Sequence, residues 1–222
     1  MCGRFTQAMT WRQLVELYRI HDQPEIPLQP RYNVAPTQQV LAVRQVEDAR
    51  RAFLPRWGLV PSWAKELAIG ARMINARAEG VADKPSFRTA FKARRCLIPA
   101  SGFYEWSGPT SARQPHYIHS SDGSPLTFAG LWETWWDRAQ PEAPPIETCT
   151  IITTTASPDV AALHDRMPVL LASDAWDTWL DPHAPPPLLE ELLQPAPAGA
   201  LAHHPVDRRV GSPRTQGPEL IA

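Results

Sequence analysis

Twenty-five prolines run through these 222 residues, and they limit the chain more than any other feature. Proline fixes its own φ and has no amide hydrogen, so it interrupts helix interiors and central strands. The chain therefore reads as many short elements joined by loops. Pro24, Pro27 and Pro30 make 21–37 an irregular, stiffened segment, and 138–146 and 181–187 read as proline-rich connectors. None of these is long enough to separate two domains. Residues 1–222 are expected to form a single domain with an irregular C-terminal tail over about 207–222.

Between the prolines, local patterns predict elements. Thr10-Trp11-Arg12-Gln13 reads as a capping box, with Trp11, Leu14, Val15 and Tyr18 on one helical face. Segments 40–44, 52–59, 95–98, 101–106, 116–119, 126–131 and 147–155 read as strands, many rich in β-branched residues. Segment 86–92 reads as a short helix. Ser157-Pro158-Asp159 and Ser173-Asp174-Ala175-Trp176 read as helix starts, and 188–193 as a last helix. Strands and helices do not alternate strictly, so the expected class is α+β: mixed, mostly antiparallel sheets in a barrel-like core with peripheral helices.

Several function classes are excluded on pattern. No run of 18 apolar residues exists, and the first residues carry Arg4, Thr6 and Gln7 rather than an apolar leader. Neither a membrane span nor a signal peptide is expected. Cys2, Cys96 and Cys149 are odd in number and widely spaced, with no zinc-ligand pattern, which points to a reducing cytoplasm. Neither GxGxxG nor GxxxxGK[ST] occurs, so the usual nucleotide sites are not expected. No metal and no cofactor are expected.

Net charge is −1, but it is unevenly distributed. Residues 1–95 hold 16 Lys+Arg and 8 Asp+Glu; residues 96–222 hold 6 and 15. Such a split permits one strongly positive patch on a nearly neutral protein. Only three of the 22 basic residues are lysines. Arginine suits bidentate phosphate contacts, although a GC-rich coding sequence would produce the same bias.

The chain start carries unusual chemistry. Removal of Met1 would leave Cys2 with a free α-amine and a thiol on adjacent carbons. The amine can condense with an aldehyde and the thiolate can then add to the imine carbon, closing a five-membered thiazolidine. An α-amine titrates at about 8 and a free thiol at about 8.5, so both groups work near neutrality. Taken alone, a cysteine at position 2 also reads as an accident of position.

Six segments remove that ambiguity: Cys2-Gly3-Arg4-Phe5, Arg31-Tyr32-Asn33-Val34-Ala35-Pro36-Thr37, Trp57-Gly58-Leu59-Val60-Pro61-Ser62-Trp63, Asn75-Ala76-Arg77-Ala78-Glu79, Gly102-Phe103-Tyr104-Glu105-Trp106 and His164-Asp165-Arg166-Met167-Pro168. In order and spacing, over residues 2 to about 170, they resemble the SOS response-associated peptidase (SRAP) family. Arg208-Arg209-Val210-Gly211 departs from that family's more Asn-rich strand end, and Gly80 replaces a hydroxyl residue.

The resemblance implies a protein that shields abasic sites in single-stranded DNA, or at a single-strand/double-strand junction, through a covalent crosslink. Cys2 would be the nucleophile, with lyase-like imine chemistry and a possible autopeptidase activity. Glu105 would shuttle protons; on residues alone it also reads as a strand glutamate facing solvent or an arginine. Asn75 would orient the α-amine, or is an ordinary turn residue. Arg77 would hold a phosphate, or pair with Glu79. His164 would act on the sugar oxygen, or belong to a structural polar cluster. Arg4 is a further phosphate candidate. Trp57 and Trp63 are candidates for stacking on bases or for core packing, and Pro36 for shaping the pocket loop. Trp132, Trp135, Trp136, Trp176 and Trp179 are expected in the core, and Cys96 and Cys149 as buried thiols. The protein is expected to be a monomer, nucleoid-associated when on DNA. Two rivals stay open: a thiol peptidase using Cys2 and His164, and a noncovalent single-strand binder.

Overall fold

The computed structural model describes residues 2–21 and 23–222. The strands are β1 (Phe5–Gln7), β2 (Arg31–Val34), β3 (Ala42–Val46), β4 (Ala49–Phe53), β5 (Arg56–Trp57), β6 (Asn75–Arg77), β7 (Arg95–Ala100), β8 (Gly102–Ser107), β9 (Gln114–Ser120), β10 (Leu126–Trp135), β11 (Ile146–Thr155), β12 (Arg166–Pro168) and β13 (Leu201–Pro205). The helices are α1 (Trp11–Tyr18), α2 (Arg88–Ala93), α3 (Trp176–Leu180) and α4 (Pro186–Glu191).

Helix α1 begins where its sequence says it should. The Thr10 hydroxyl accepts from Gln13 N, and the Gln13 side chain accepts from Thr10 N at 2.9 Å. Leu14 and Tyr18 are the buried face of this helix.

The strands form two sheets. One runs β13-β9-β8-β1-β2 with every pairing antiparallel. The other runs β12-β11-β10-β7-β3-β4, and the short β5 and β6 join β11 in parallel. The class is α+β as the pattern predicts, but neither sheet closes on itself, so the expected barrel is instead a stack of open sheets.

Side-chain alternation sorts the residues into layers. Phe5, Phe103 and Ile118 of the five-stranded sheet meet Ile98, Phe128, Cys149 and Ile151 of the other sheet. On the far face of the larger sheet, Leu97, Ala129, Leu131 and Ile152 pack on Leu14, Tyr18, Phe91, Trp176 and Trp179. On the outer face of the smaller sheet, Tyr104 and Tyr117 pack on Val206, Val210 and Leu220. Full burial of such a side chain stabilises the fold by about 1.5–3 kcal/mol. Among the described residues, no helix is long and apolar enough to cross a membrane.

Four local expectations are corrected. Segment 52–59 is not one strand: β3 and β4 form a hairpin turning at Glu47, and Pro55 separates β4 from β5. Segment 21–37 is not wholly irregular, because β2 lies downstream of all three prolines and pairs with β1. Ser157-Pro158-Asp159 starts no helix. Single turns there (Ala161 N to Ser157 O, 3.0 Å; His164 N to Val160 O, 3.1 Å) end as the chain returns to pair β12 with β11, with Ala156 N donating to Asp165 O. Trp136 is 55% exposed rather than buried, since β10 ends at Trp135 and the next side chain points away.

Candidate active site

The layers bring Cys2, Asn75, Glu105 and His164 to one place. β1 pairs with β8 through Phe5–Phe103, and Tyr104 N donates to Arg4 O at 3.0 Å. Continued toward the chain start, this pairing carries Cys2 alongside Glu105. Both lie on the inner side of the smaller sheet, because Phe103 faces inward and Tyr104 faces the outer layer.

Asn75 comes from the other sheet. Ala76 is buried toward the helices, so Asn75 and Arg77 share the opposite face, toward the smaller sheet. Nδ2 of Asn75 donates to the Cys2 carbonyl at 2.9 Å. Its Oδ1 is buried and receives no hydrogen bond among the described residues. Trp57 supports this strand from below: its indole Nε1 donates to Ile74 O at 2.8 Å.

His164 sits in the turn between β11 and β12. Its Nδ1 lies 2.9 Å from the Arg166 N–H and 2.7 Å from Asp165 Oδ1. One protonation state cannot satisfy both. The Asp165 side chain is 85% exposed and is readily solvated, whereas the backbone N–H has no such freedom. Nδ1 is therefore assigned as the acceptor, which leaves the ring proton on Nε2.

The electrostatics follow from burial. Glu105 is held above the usual carboxylate range by desolvation. The Cys2 thiol is pushed up by its own complete burial and then by the negative charge of Glu105. The thiol environment is thus apolar and anionic, the opposite of what lowers a cysteine pKa. Cys2 is 0% exposed in the chain that carries Met1. The side chains of Cys2, Asn75, Glu105 and His164 are brought together, but in this form the thiol is closed to solvent.

The other residues singled out in the sequence divide. Arg77 is exposed at the end of β6. Glu79 does not take it as its main partner: the bidentate ion pair is to Arg166, with Nη2 at 2.9 Å from Glu79 Oε2. That pair holds Glu79 below the usual carboxylate range. Trp63 is 52% exposed on a loop pinned by the close backbone approach of Gly58 and Gly70, where a Cβ on Gly58 would fall 2.6 Å from Gly70 O. Pro36 is half-buried in the turn after β2. Trp57 corrects the stacking expectation: it is 0% exposed and packs edge-on against Phe5 at 5.0 Å, so no base reaches it. Arg4 points its guanidinium to Asn33 Oδ1, Val210 O and Gly211 O. Cys96 and Cys149 are buried thiols.

Two residues went unnoticed in the sequence. Arg166 is 8% exposed and also donates to Thr153 O at 2.6 Å, so it ties the His164 turn to the Glu79 end of β6. Asn33 is wholly buried. Each stands inside one of the six matched segments, and a charged or amide side chain in a strand-like motif was the available signal. Among the described residues, no group of three or more His, Cys, Asp or Glu side chains is arranged to hold a metal.

The model of the family described as SOS response associated peptidase (SRAP) matches residues 1–213. "Abasic site processing protein YoqW" of Bacillus subtilis (strain 168) is 42% identical over 225 residues, covering 100% of this chain and 99% of the relative. "Abasic site processing protein YedK" of Escherichia coli (strain K12) is 31% identical over 227 residues, with the same coverage. A crystal structure of a protein from Bacteroides thetaiotaomicron shares the fold with a TM-score of 0.88 at 23% identity, over 99% of this chain and 98% of that one. With the family match running almost from end to end and full-length relatives at this level of identity, the chain belongs to the SRAP family.

Proposed function

We propose that this chain, once Met1 is removed, recognises an abasic site in single-stranded DNA or at a single-strand/double-strand junction and captures its open-chain sugar on Cys2 as a thiazolidine. The observation that carries the reading is the Asn75 carboxamide: Nδ2 holds the Cys2 carbonyl at 2.9 Å while the buried Oδ1 has no donor among the described residues. A free α-amine on Cys2 is the donor that this oxygen suits. Relatives named abasic site processing proteins support the choice of substrate.

The chemistry balances as two additions. The α-amine attacks the sugar C1′ aldehyde, and the carbinolamine loses water to give an imine. The thiol then adds across C=N, sulfur to carbon and proton to nitrogen, closing the ring. Glu105 supplies a proton to the departing hydroxyl and accepts the thiol proton; desolvation raises its pKa, which favours the protonated form as the donor. His164, with its proton on Nε2, donates to the sugar oxygen. Arg77 takes a phosphate beside the lesion, Trp63 stacks on a neighbouring base, and the Pro36 turn shapes the entrance. Phosphate contacts make binding sequence-independent and salt-sensitive.

The environment of Cys2 weighs against a thiol peptidase. Such an enzyme needs a thiolate favoured by a cationic partner. Here burial and Glu105 hold the proton on sulfur, and an amine-first route does not require the thiolate at the outset. Because Cys2 is fully buried with Met1 attached, the reading also requires that the mature chain start be open to a sugar.

Intact mass spectrometry with an oligonucleotide bearing one abasic site tests the proposal. The expected product has the summed mass less one water, survives heat and SDS, and is lost in Cys2→Ser. Full crosslinking by a tagged chain that keeps a residue before Cys2 would overturn it. Dimethylation of the α-amine should abolish the adduct; peptide hydrolysis that survives it would favour the peptidase, and undiminished DNA retention by Cys2→Ser with no adduct in the parent would favour the noncovalent binder.

A further inference from the structure

Residues 207–222 turn back over the outer face of the smaller sheet and finish beside β2. Val210 and Leu220, both fully buried, anchor the segment against Tyr104 and Tyr117. The polar side of the same contact is denser. Asn33 Nδ2 lies within hydrogen-bond reach of the carbonyls of Val210 (3.0 Å), Ser212 (2.9 Å) and Thr215 (3.0 Å). Asn33 Oδ1 accepts from Arg4 Nη1 at 2.7 Å. Arg4 continues into the segment, Nη1 to Val210 O at 2.7 Å and Nη2 to Gly211 O at 3.0 Å.

Gln216 closes the arrangement. Its Oε1 accepts from the backbone N–H groups of Tyr32 (3.0 Å) and Asn33 (3.1 Å), and its Nε2 donates to Asn33 O at 3.0 Å. β2 is the edge of its sheet, and one side-chain amide completes the ladder that another strand would otherwise complete.

These bonds lie on the outer layer, while Cys2 and Glu105 lie on the inner one. The link between them is Arg4, two residues from Cys2 and paired through its carbonyl with Tyr104 on β8. A guanidinium fixed at three acceptors leaves the chain start little freedom to swing away from Glu105. We infer that residues 207–216 are a strap that positions Cys2, with Arg4, Asn33 and Gln216 as positioning residues. Arg4 serves the strap rather than a DNA phosphate. The kinetic consequence rests on the thiazolidine reading above; the placement of Cys2 does not.

Gln216 is exposed and Lys can replace the charge of Arg4, so Gln216→Ala and Arg4→Lys test the strap without emptying the core. In single-turnover reactions with abasic DNA, Arg4→Lys should slow adduct formation about tenfold and Gln216→Ala by a smaller factor. Affinity for a tetrahydrofuran-site oligonucleotide, which cannot react, should stay at the parent value. So should its salt dependence. If Arg4 were a phosphate ligand, Arg4→Ala would reduce the salt slope by about 0.7 and Arg4→Lys would restore the rate, and that pair of results would overturn the proposal. A second arm needs no DNA: iodoacetamide labelling of Cys2, located by peptide mass. It should quicken several-fold in both variants. Parent-like labelling in both variants overturns the strap. Faster labelling in a protein whose parent forms no adduct would uphold the strap and defeat the crosslinking function instead.

Discussion

Asn33 and Asn75 are two carboxamides held close to the same short N-terminal strand, and they are treated in opposite ways. Asn33 is fully buried and satisfied on every side: Arg4 donates to its oxygen, three carbonyls surround its nitrogen, and Gln216 pairs with its backbone. Among the described residues Asn75 makes one bond, to Cys2 O, and its buried oxygen is left without a donor. Folding gains from saturating a buried amide and loses about 1–3 kcal/mol from leaving a polar atom unmet. The outer layer therefore behaves as architecture. The inner one tolerates an unmet acceptor, as sites that await a ligand do.

The contrast can be broken by measurement. The largest change is expected at Trp57, which lies under Asn75 and bonds Ile74 O. Trp57→Ala should lower stability by about 3–5 kcal/mol in denaturant unfolding. Trp63→Ala, at an exposed indole, should leave stability within about 0.5 kcal/mol and weaken single-strand binding by about 1–3 kcal/mol. A stable Trp57→Ala protein that has lost only DNA affinity would mean that the buried indole does reach the substrate.

At Asn75 the expected loss is kinetic. Asn75→Ala should slow adduct formation at least about 100-fold, about 2.7 kcal/mol, with Tm within about 2 °C of the parent. Asn33→Ala should do the reverse in stability: several bonds break at once, and a loss of about 2–3 kcal/mol should bring Tm down by about 4–12 °C. A parent-like Tm for Asn33→Ala, or a collapsed one for Asn75→Ala, would erase the distinction.

The smallest effect concerns pH. Burial raises the Glu105 pKa above its unfolded value, so its ionisation opposes folding. The stability associated with the neutral acid is fully present below the ordinary glutamate range and is lost as pH rises through the folded value. Glu105→Gln should therefore melt above the parent at about pH 8, and the gap should close by about pH 4. It should also slow the adduct, which separates the role of the carboxyl in chemistry from its burden on the fold. A gap that widens on acidification would contradict the burial argument.

How much of this could be read in advance depended on distance along the chain. The Thr10–Gln13 capping box is a contact over three residues, and the helix starts where the pattern places it. The 157 segment carries equally good local features, yet pairing of β12 with β11 overrides them. The helix start at Ser173 survives because α3 meets no such competing strand and buries Trp176 and Trp179. The segments that resemble a known family are individually short, and their order along the chain named Cys2, Asn75, Glu105 and His164. What they could not convey was the ion pair of Arg166 with Glu79, the saturation of Asn33, or that Trp57 faces inward while Trp63 faces out.

The amino-acid sequence by itself determined the building materials: short elements forced by proline, a non-alternating mix of strands and helices, the paired nucleophiles latent at Cys2, and a basic N-terminal half. These are local or additive properties, set by residue type and near spacing. Tertiary structure decided which polar groups are saturated and which are left waiting. That choice depends on partners 73 residues away for Asn75 and 206 residues away for Arg4, and bonds spanning such separations form only when the sheets have stacked.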